Sequence, residues 1–129
     1  MRHAGNTIEQ AADNYDEIVR ENQPIDLLHL GFGTDGHIAS LFPGSPALTE
    51  KERFVVATGD DLHPHPRLTF TFPAIRACQT VIVTIEGSEK QPAFTALREG
   101  KDLPASHIEA ELVIWVVDHA AAGDRDESL

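Results

Sequence analysis

Asp35 and His37 stand two residues apart in a glycine-rich stretch, Leu30-Gly31-Phe32-Gly33-Thr34-Asp35-Gly36-His37-Ile38-Ala39-Ser40-Leu41-Phe42-Pro43-Gly44-Ser45. A carboxylate beside an imidazole is an acid–base pair. The imidazole titrates near neutral pH, so it can take a proton and return it. The carboxylate can raise the imidazole pKa and fix its tautomer. Gly31, Gly33 and Gly36 let the backbone take positive φ and come close to a ligand. The same pattern admits a plainer reading, in which Asp35 caps a helix and His37 is an exposed first-turn residue. Glycine spacing alone does not make this a dinucleotide site, because no acidic residue follows a second strand at the required distance. No Gly-Lys-Ser/Thr for a phosphate-binding P-loop is present.

The elements around this stretch decide whether it faces a ligand. Ile8, Ala11, Ala12, Tyr15, Ile18 and Val19 recur at helical spacing, which predicts a helix over Thr7 to Arg20, capped by Asn6 or Thr7 and ended by Pro24. Ile25 to Leu30 reads as a buried strand. Gly36 to Leu41 is expected to open a short helix that Pro43 stops. Phe54 to Ala57 and the alternating Arg67 to Phe72 read as strands, and Pro73 to Ala77 as a short helix. The β-branched run Thr80 to Ile85 is a strand, followed by a helix over Gly87 to Arg98 with Ser88 as its cap. Leu112 to Val117 is the last strand, with Asp118 at its end and Trp115 placed in the core. Apolar strands alternating with helices imply an α/β fold. The expected form is a three-layer α/β/α arrangement with a mainly parallel, Rossmann-like sheet. Ligands of such sheets bind off the carboxyl ends of the strands, which here means the loops after Leu30, Ile85 and Val117.

The 129 residues suit a single domain with its own core. Apolar residues make up 41% and charged residues 24%, a globular composition. The formal net charge of −11 repels nucleic acid and anionic membranes, so neither is an expected partner. An anionic ligand would therefore need a local basic pocket. The single cysteine, Cys78, forms no intrachain disulfide and fits a reducing, cytoplasmic setting. Met1 to Gln10 does not read as a signal peptide. His29 is expected to be a packed core histidine. His63 and His65 could share a metal ion, but no third ligand is evident.

The stretch from Leu30 to Ser45 closely resembles the signature of the 6-phosphogluconolactonases. The resemblance continues through Arg67-Leu68-Thr69-Phe70-Thr71-Phe72-Pro73-Ala74-Ile75, Glu86-Gly87-Ser88-Glu89-Lys90, Asp102-Leu103-Pro104-Ala105-Ser106 and Trp115-Val116-Val117-Asp118. It runs from about Leu27 to Ala121. The related glucosamine-6-phosphate deaminases share the Asp/Asn-Gly-His core but continue differently after it. Ser40-Leu41-Phe42-Pro43 therefore points to the lactonases. The resemblance implies hydrolysis of 6-phosphogluconolactone in the pentose phosphate pathway. His37 would assist the attack of water on the lactone carbonyl, and Asp35 would position or polarise the site. Gly33 and Gly36 belong to the substrate-binding loop, whose amides could stabilise the carbonyl oxygen. Arg67 and Lys90 match basic positions linked to substrate or phosphate. By pattern alone the plainer reading is favoured for each, with Arg67 a strand-start surface charge and Lys90 an exposed first-turn lysine. No cofactor and no metal are implied, because a lactone is already a reactive ester.

Two features of the family are not found in these residues. Its members carry an N-terminal half with a Ser-Gly-Gly-Ser/Thr phosphate loop and an Asp-Glu-Arg motif. Many have Lys-Pro-Pro where this chain has His63-Pro64-His65-Pro66. The expectation is a C-terminal portion of the lactonase domain, with a sheet incomplete at its N-terminal side and weak activity without a partner half. A related sugar-phosphate isomerase or deaminase, and a non-catalytic fragment that binds a partner through its sheet edge, are the alternatives.

Overall fold

The computed structural model describes residues 7–58 and 67–123. Thr7 opens the first helix, α1 (Ile8–Glu21). Its hydroxyl accepts from the Gln10 amide, and the Gln10 side chain accepts from the Thr7 amide, so two helix-end donors are satisfied. The helix stops at Asn22, before Gln23-Pro24. Three strands, β1 (Leu27–Gly31), β4 (Thr80–Ile85) and β5 (Leu112–Val117), form a parallel sheet in the order β1-β4-β5. Between them lies an antiparallel hairpin of β2 (Val55–Thr58) and β3 (Arg67–Phe70). Helices α2 (Phe72–Ala77), α3 (Gln91–Arg98) and α4 (His119–Ala122) follow β3, β4 and β5. The histidines of the proline loop, His63 and His65, lie outside the described residues.

One face of the parallel sheet carries the main core. Val81, Val83 and Ile85 of β4 are fully buried. They pack with Leu28 and Leu30 of β1 and with Val113 and Val117 of β5. Ile75 and Cys78 of the α2 region, Ala93, Phe94 and Leu97 of α3, and Ala121 of α4 cover that face. Burial raises the pKa of the Cys78 thiol. The opposite face is bare among the described residues. Leu27, Leu112, Ile114 and Val116 are 39–56% exposed there. Parallel sheets are ordinarily buried on both faces, so this face has the composition of a covered one without the cover. Among the described residues, β1 and β5 also pair on one side only, each with β4. The α/β class and the mainly parallel sheet are as expected, and so is an incomplete second layer.

Helix α1 does not supply that layer. It packs Ala12 and Val19 against Val55, Phe54, Ala57, Leu68 and Phe70 of the hairpin. The joint is pinned by Asp16, whose carboxylate accepts from the Phe54 and Val55 amides at 2.6 and 3.0 Å and from Arg20 Nε at 2.9 Å. Burial alone would raise the Asp16 pKa, but Arg20 and the two amides outweigh it and hold the carboxyl below its ordinary value of 3.8. A folded-state pKa below the unfolded one stabilises the native state above the unfolded value. That contribution disappears as pH falls through the folded pKa. Asp16→Ala is expected to cost about 2–3 kcal/mol, read as a lower urea midpoint at neutral pH, with the gap to the parent closing in acid. An equal midpoint at neutral pH would mean that the joint does not need the carboxylate.

Four local expectations are corrected. Gly36 to Leu41 forms no helix. Gly36 and Ala39 take φ of 81° and 50°, and Ile38 bridges Leu41 in antiparallel fashion. Two left-handed residues so close together break any run of helical hydrogen bonds. The strand from Arg67 ends at Phe70, because Thr71 turns to cap α2 by accepting from the Ala74 amide. Ser88 does not cap the helix after β4. It begins a separate 3₁₀ turn, Ser88–Lys90, entered through Gly87 at φ 96°. Trp115 is 37% exposed rather than buried, because β5 is a sheet edge.

Candidate active site

The glycine-rich stretch leaves the carboxyl end of β1 and folds back on itself. The Gly33 amide donates to the His37 carbonyl and the Gly36 amide to the Gly33 carbonyl, both at 2.9 Å. A Cβ on Gly36 would lie 2.9 Å from Leu103 Cβ, so this left-handed position also demands glycine for space. The Ala105 amide donates to the Gly36 carbonyl and ties the loop to the 3₁₀ turn Pro104–His107. These bonds present His37 and Asp35 together at the strand end.

Asp35 is not a helix cap. Its Oδ1 accepts from the His37 amide at 3.0 Å and meets His37 Nδ1 at 2.6 Å. Partial burial alone would raise the Asp35 pKa. The hydrogen bonds from the His37 ring and amide, together with the ring's charge, outweigh it and hold the carboxyl below its ordinary value. An ionised Asp35 keeps the proton on Nδ1 and leaves Nε2 as the basic atom. The imidazole also lies against the Phe42 ring, with centroids 4.5 Å apart.

A cavity of about 360 Å³ opens beside the ring, lined by His29, Leu30, Gly31, Phe32, Gly33, His37, Ala39 and Lys90. The structure thus brings together His37, its partner Asp35, Gly33 and Lys90. Lys90 arrives on the 3₁₀ turn after β4, its ammonium 3.4 Å from the Glu86 carbonyl. That turn is anchored by Asp118, which accepts from the Gly87 amide at 3.1 Å and caps α4 through the Ala121 amide at 2.8 Å. Gly36 shapes the loop but does not line the cavity. Arg67 does not line it either. Its guanidinium sits over Phe42, 5.5 Å from the ring centroid, so Phe42 lies between Arg67 and His37. The Gly33 and Gly36 amides are already committed within the loop, so neither is free to hold a carbonyl oxygen as expected.

Sequence reasoning missed three residues of this neighbourhood. Phe42 gave no signal beyond its place in the motif. Asp118 was visible as a carboxylate at a strand end, the usual position for such an anchor. His29 was assigned to the core, and the structure puts it on the bare sheet face with Nε2 3.1 Å from Thr84 Oγ1. A larger depression of about 650 Å³ lies behind the loop, near Phe72, Arg76, Leu103 and His107. Four of its charged groups form pairs, Asp102 with His107 at 2.5 Å and Glu109 with Arg76 at 3.9 Å. The smaller cavity, at the strand ends and beside the Asp35–His37 pair, is the better candidate.

A family model described as glucosamine-6-phosphate isomerases/6-phosphogluconolactonase matches residues 1–115. The chain belongs to this family. It is 38% identical over 126 residues to the 6-phosphogluconolactonase of Rattus norvegicus, covering 89% of this chain and 49% of that protein. The solved 6-phosphogluconolactonase of Thermotoga maritima aligns with a TM-score of 0.75 at 32% identity, over 89% of this chain and 53% of its own. A solved monomeric glucosamine-6-phosphate deaminase aligns with a TM-score of 0.74 at 24% identity, over 95% and 57%. At that identity the second likeness shows the fold alone. The chain spans about half the length of these relatives. Among the described residues no helix is long and apolar enough to cross a membrane.

Proposed function

We propose that this chain carries the acid–base centre of a 6-phosphogluconolactonase. The observation that carries the reading is the 2.6 Å contact between Asp35 and His37 Nδ1 beside a cavity that Lys90 also lines. Lactone hydrolysis needs a base as water attacks the carbonyl and an acid as the ring C–O bond breaks. His37 Nε2 takes the water proton, Asp35 balances the imidazolium, and the same proton then passes to the departing ring oxygen. A positioned acid–base group of this kind contributes roughly 10²–10⁴-fold. Lys90 supplies the cation that a phosphorylated sugar requires against a net charge of −11. Arg67, held on Phe42, borders the approach to His37. No cofactor or metal enters the chemistry. The single buried Cys78 suits a reducing cytoplasm.

The bare face of the parallel sheet and the open edge of β1 are where further polypeptide completes the domain. The relatives' double length and the exposed Leu27, Leu112, Ile114 and Val116 support this. A segment equivalent to the relatives' N-terminal half covers that face and adds phosphate ligands. The test is hydrolysis of freshly generated 6-phosphogluconolactone, corrected for spontaneous opening, by the 129-residue chain with and without such a segment. Near-background turnover alone and strong turnover on mixing is the expected result. Full turnover by the chain alone would remove the need for a second half. No turnover in either preparation would overturn the lactonase reading, and glucosamine-6-phosphate as substrate would then test the deaminase alternative.

A further inference from the structure

The bare sheet face carries an imidazole among the aliphatic and threonine side chains that suit a strand. His29 lies on the same face as Leu27, Ile82 and Ile114, where an aliphatic residue would serve equally well for burial. In the strand register His29 stands opposite Ile82, and Thr84 stands opposite Gly31. The hydrogen bond from the His29 ring goes to Thr84, not to its direct neighbour. The ring therefore leans along the strands toward their carboxyl ends, where the candidate site lies. The bond engages Nε2, and Nδ1 has no partner among the described residues. His29 lines the same cavity of about 360 Å³ as His37 and Lys90.

We propose that His29 is a substrate-binding residue whose Nδ1 contacts an oxygen of the sugar phosphate held beside His37 and Lys90. The inference rests on the lactonase reading and extends it to a residue outside the glycine-rich motif. Thr84 fixes the orientation of the ring, so its second nitrogen meets the ligand at little further entropic cost. The contact is either donor or acceptor, according to the role the Thr84 hydroxyl takes. It thus fits the hydroxyls of a polyol as well as a phosphate oxygen.

The test is NMR of the imidazole nitrogens during titration with 6-phosphogluconate of the 129-residue chain, complemented with the segment that restores turnover. The His29 and His37 rings should shift along one saturation curve. His29→Leu should weaken binding by roughly 3- to 10-fold, the effect of one hydrogen bond. His29→Asn, which keeps a polar group near the Nδ1 position, should recover most of the affinity without changing the unfolding midpoint relative to His29→Leu. If His37 responds while His29 stays silent and His29→Leu binds normally, this inference falls and the lactonase reading stands. If neither ring responds even in the complemented protein, the sugar-phosphate reading of the cavity falls, and this inference falls with it.

Discussion

On the lactonase reading, His37→Ala is expected to reduce lactone turnover by roughly 10²–10⁴-fold and to leave the fold intact. The magnitude is that of removing a positioned proton carrier, since no other imidazole in the cavity has a carboxylate partner. Among the described residues, the Asp35 carboxylate is paired with His37, at 2.6 Å. The loss should fall on kcat more than on KM, because the imidazole acts as the transition state forms. Stability should change little. The ring side chain is 30% exposed, and its packing contact is with Phe42. Circular dichroism and an unfolding curve would check the fold, and steady-state kinetics on the complemented enzyme the rate. A folded variant with near-normal kcat would move the proton transfer to another group, and His29 would be the first to examine.

Gly33→Ala is the second large effect, and it arises without touching a functional side chain. A Cβ on Gly33 would lie 2.1 Å from both Cε1 and Nδ1 of His37. Real atoms do not approach so closely, so the imidazole must swing away. The side chain can rotate, so the cost to stability is small. The cost to function is not small, because the swing breaks the 2.6 Å contact with Asp35 and misdirects Nε2. Displacement of a reacting group by about 1 Å can cost on the order of 10²-fold in rate. A Gly33→Ala protein with a parental unfolding midpoint and about one-hundredth of the turnover is the expected outcome. Parental turnover would show that the ring has another productive position.

The Gly33 effect also marks where reading from sequence reaches its limit. Gly33 was recognisable as part of a ligand loop, but for its amide, which instead donates to the His37 carbonyl. Its actual contribution is the space it leaves beside the imidazole. Space of that kind depends on a turn in which residues four apart come into contact. The same turn explains why the segment from Gly36 is not helical, although its composition allowed a helix.

Two further residues separate local from tertiary information. Lys90 and Arg67 were both expected near the substrate, Lys90 the more so because it follows the Thr80–Ile85 strand on the crevice side. Lys90 reaches the cavity because it follows β4, which lies next to β1 in the sheet. Arg67 opens β3, which pairs with β2 in a separate hairpin, and so it meets the site only through Phe42. Position after a strand of the parallel sheet already favoured Lys90, and the strand order explains why Arg67, at the start of a separate hairpin, stays outside.

By itself the sequence determined the α/β class and the strands of the parallel sheet, and it brought Asp35 and His37 within reach of each other. These depend on periodicity and on contacts between residues a few positions apart, so they are written in short stretches of chain. Only the tertiary structure decided which face of the sheet is bare, that His29 and Trp115 are not core, and that Arg67 meets the site only through Phe42. A period-2 strand shows that it has two faces, but not which of them another layer covers. That depends on long-range packing, which no local pattern encodes.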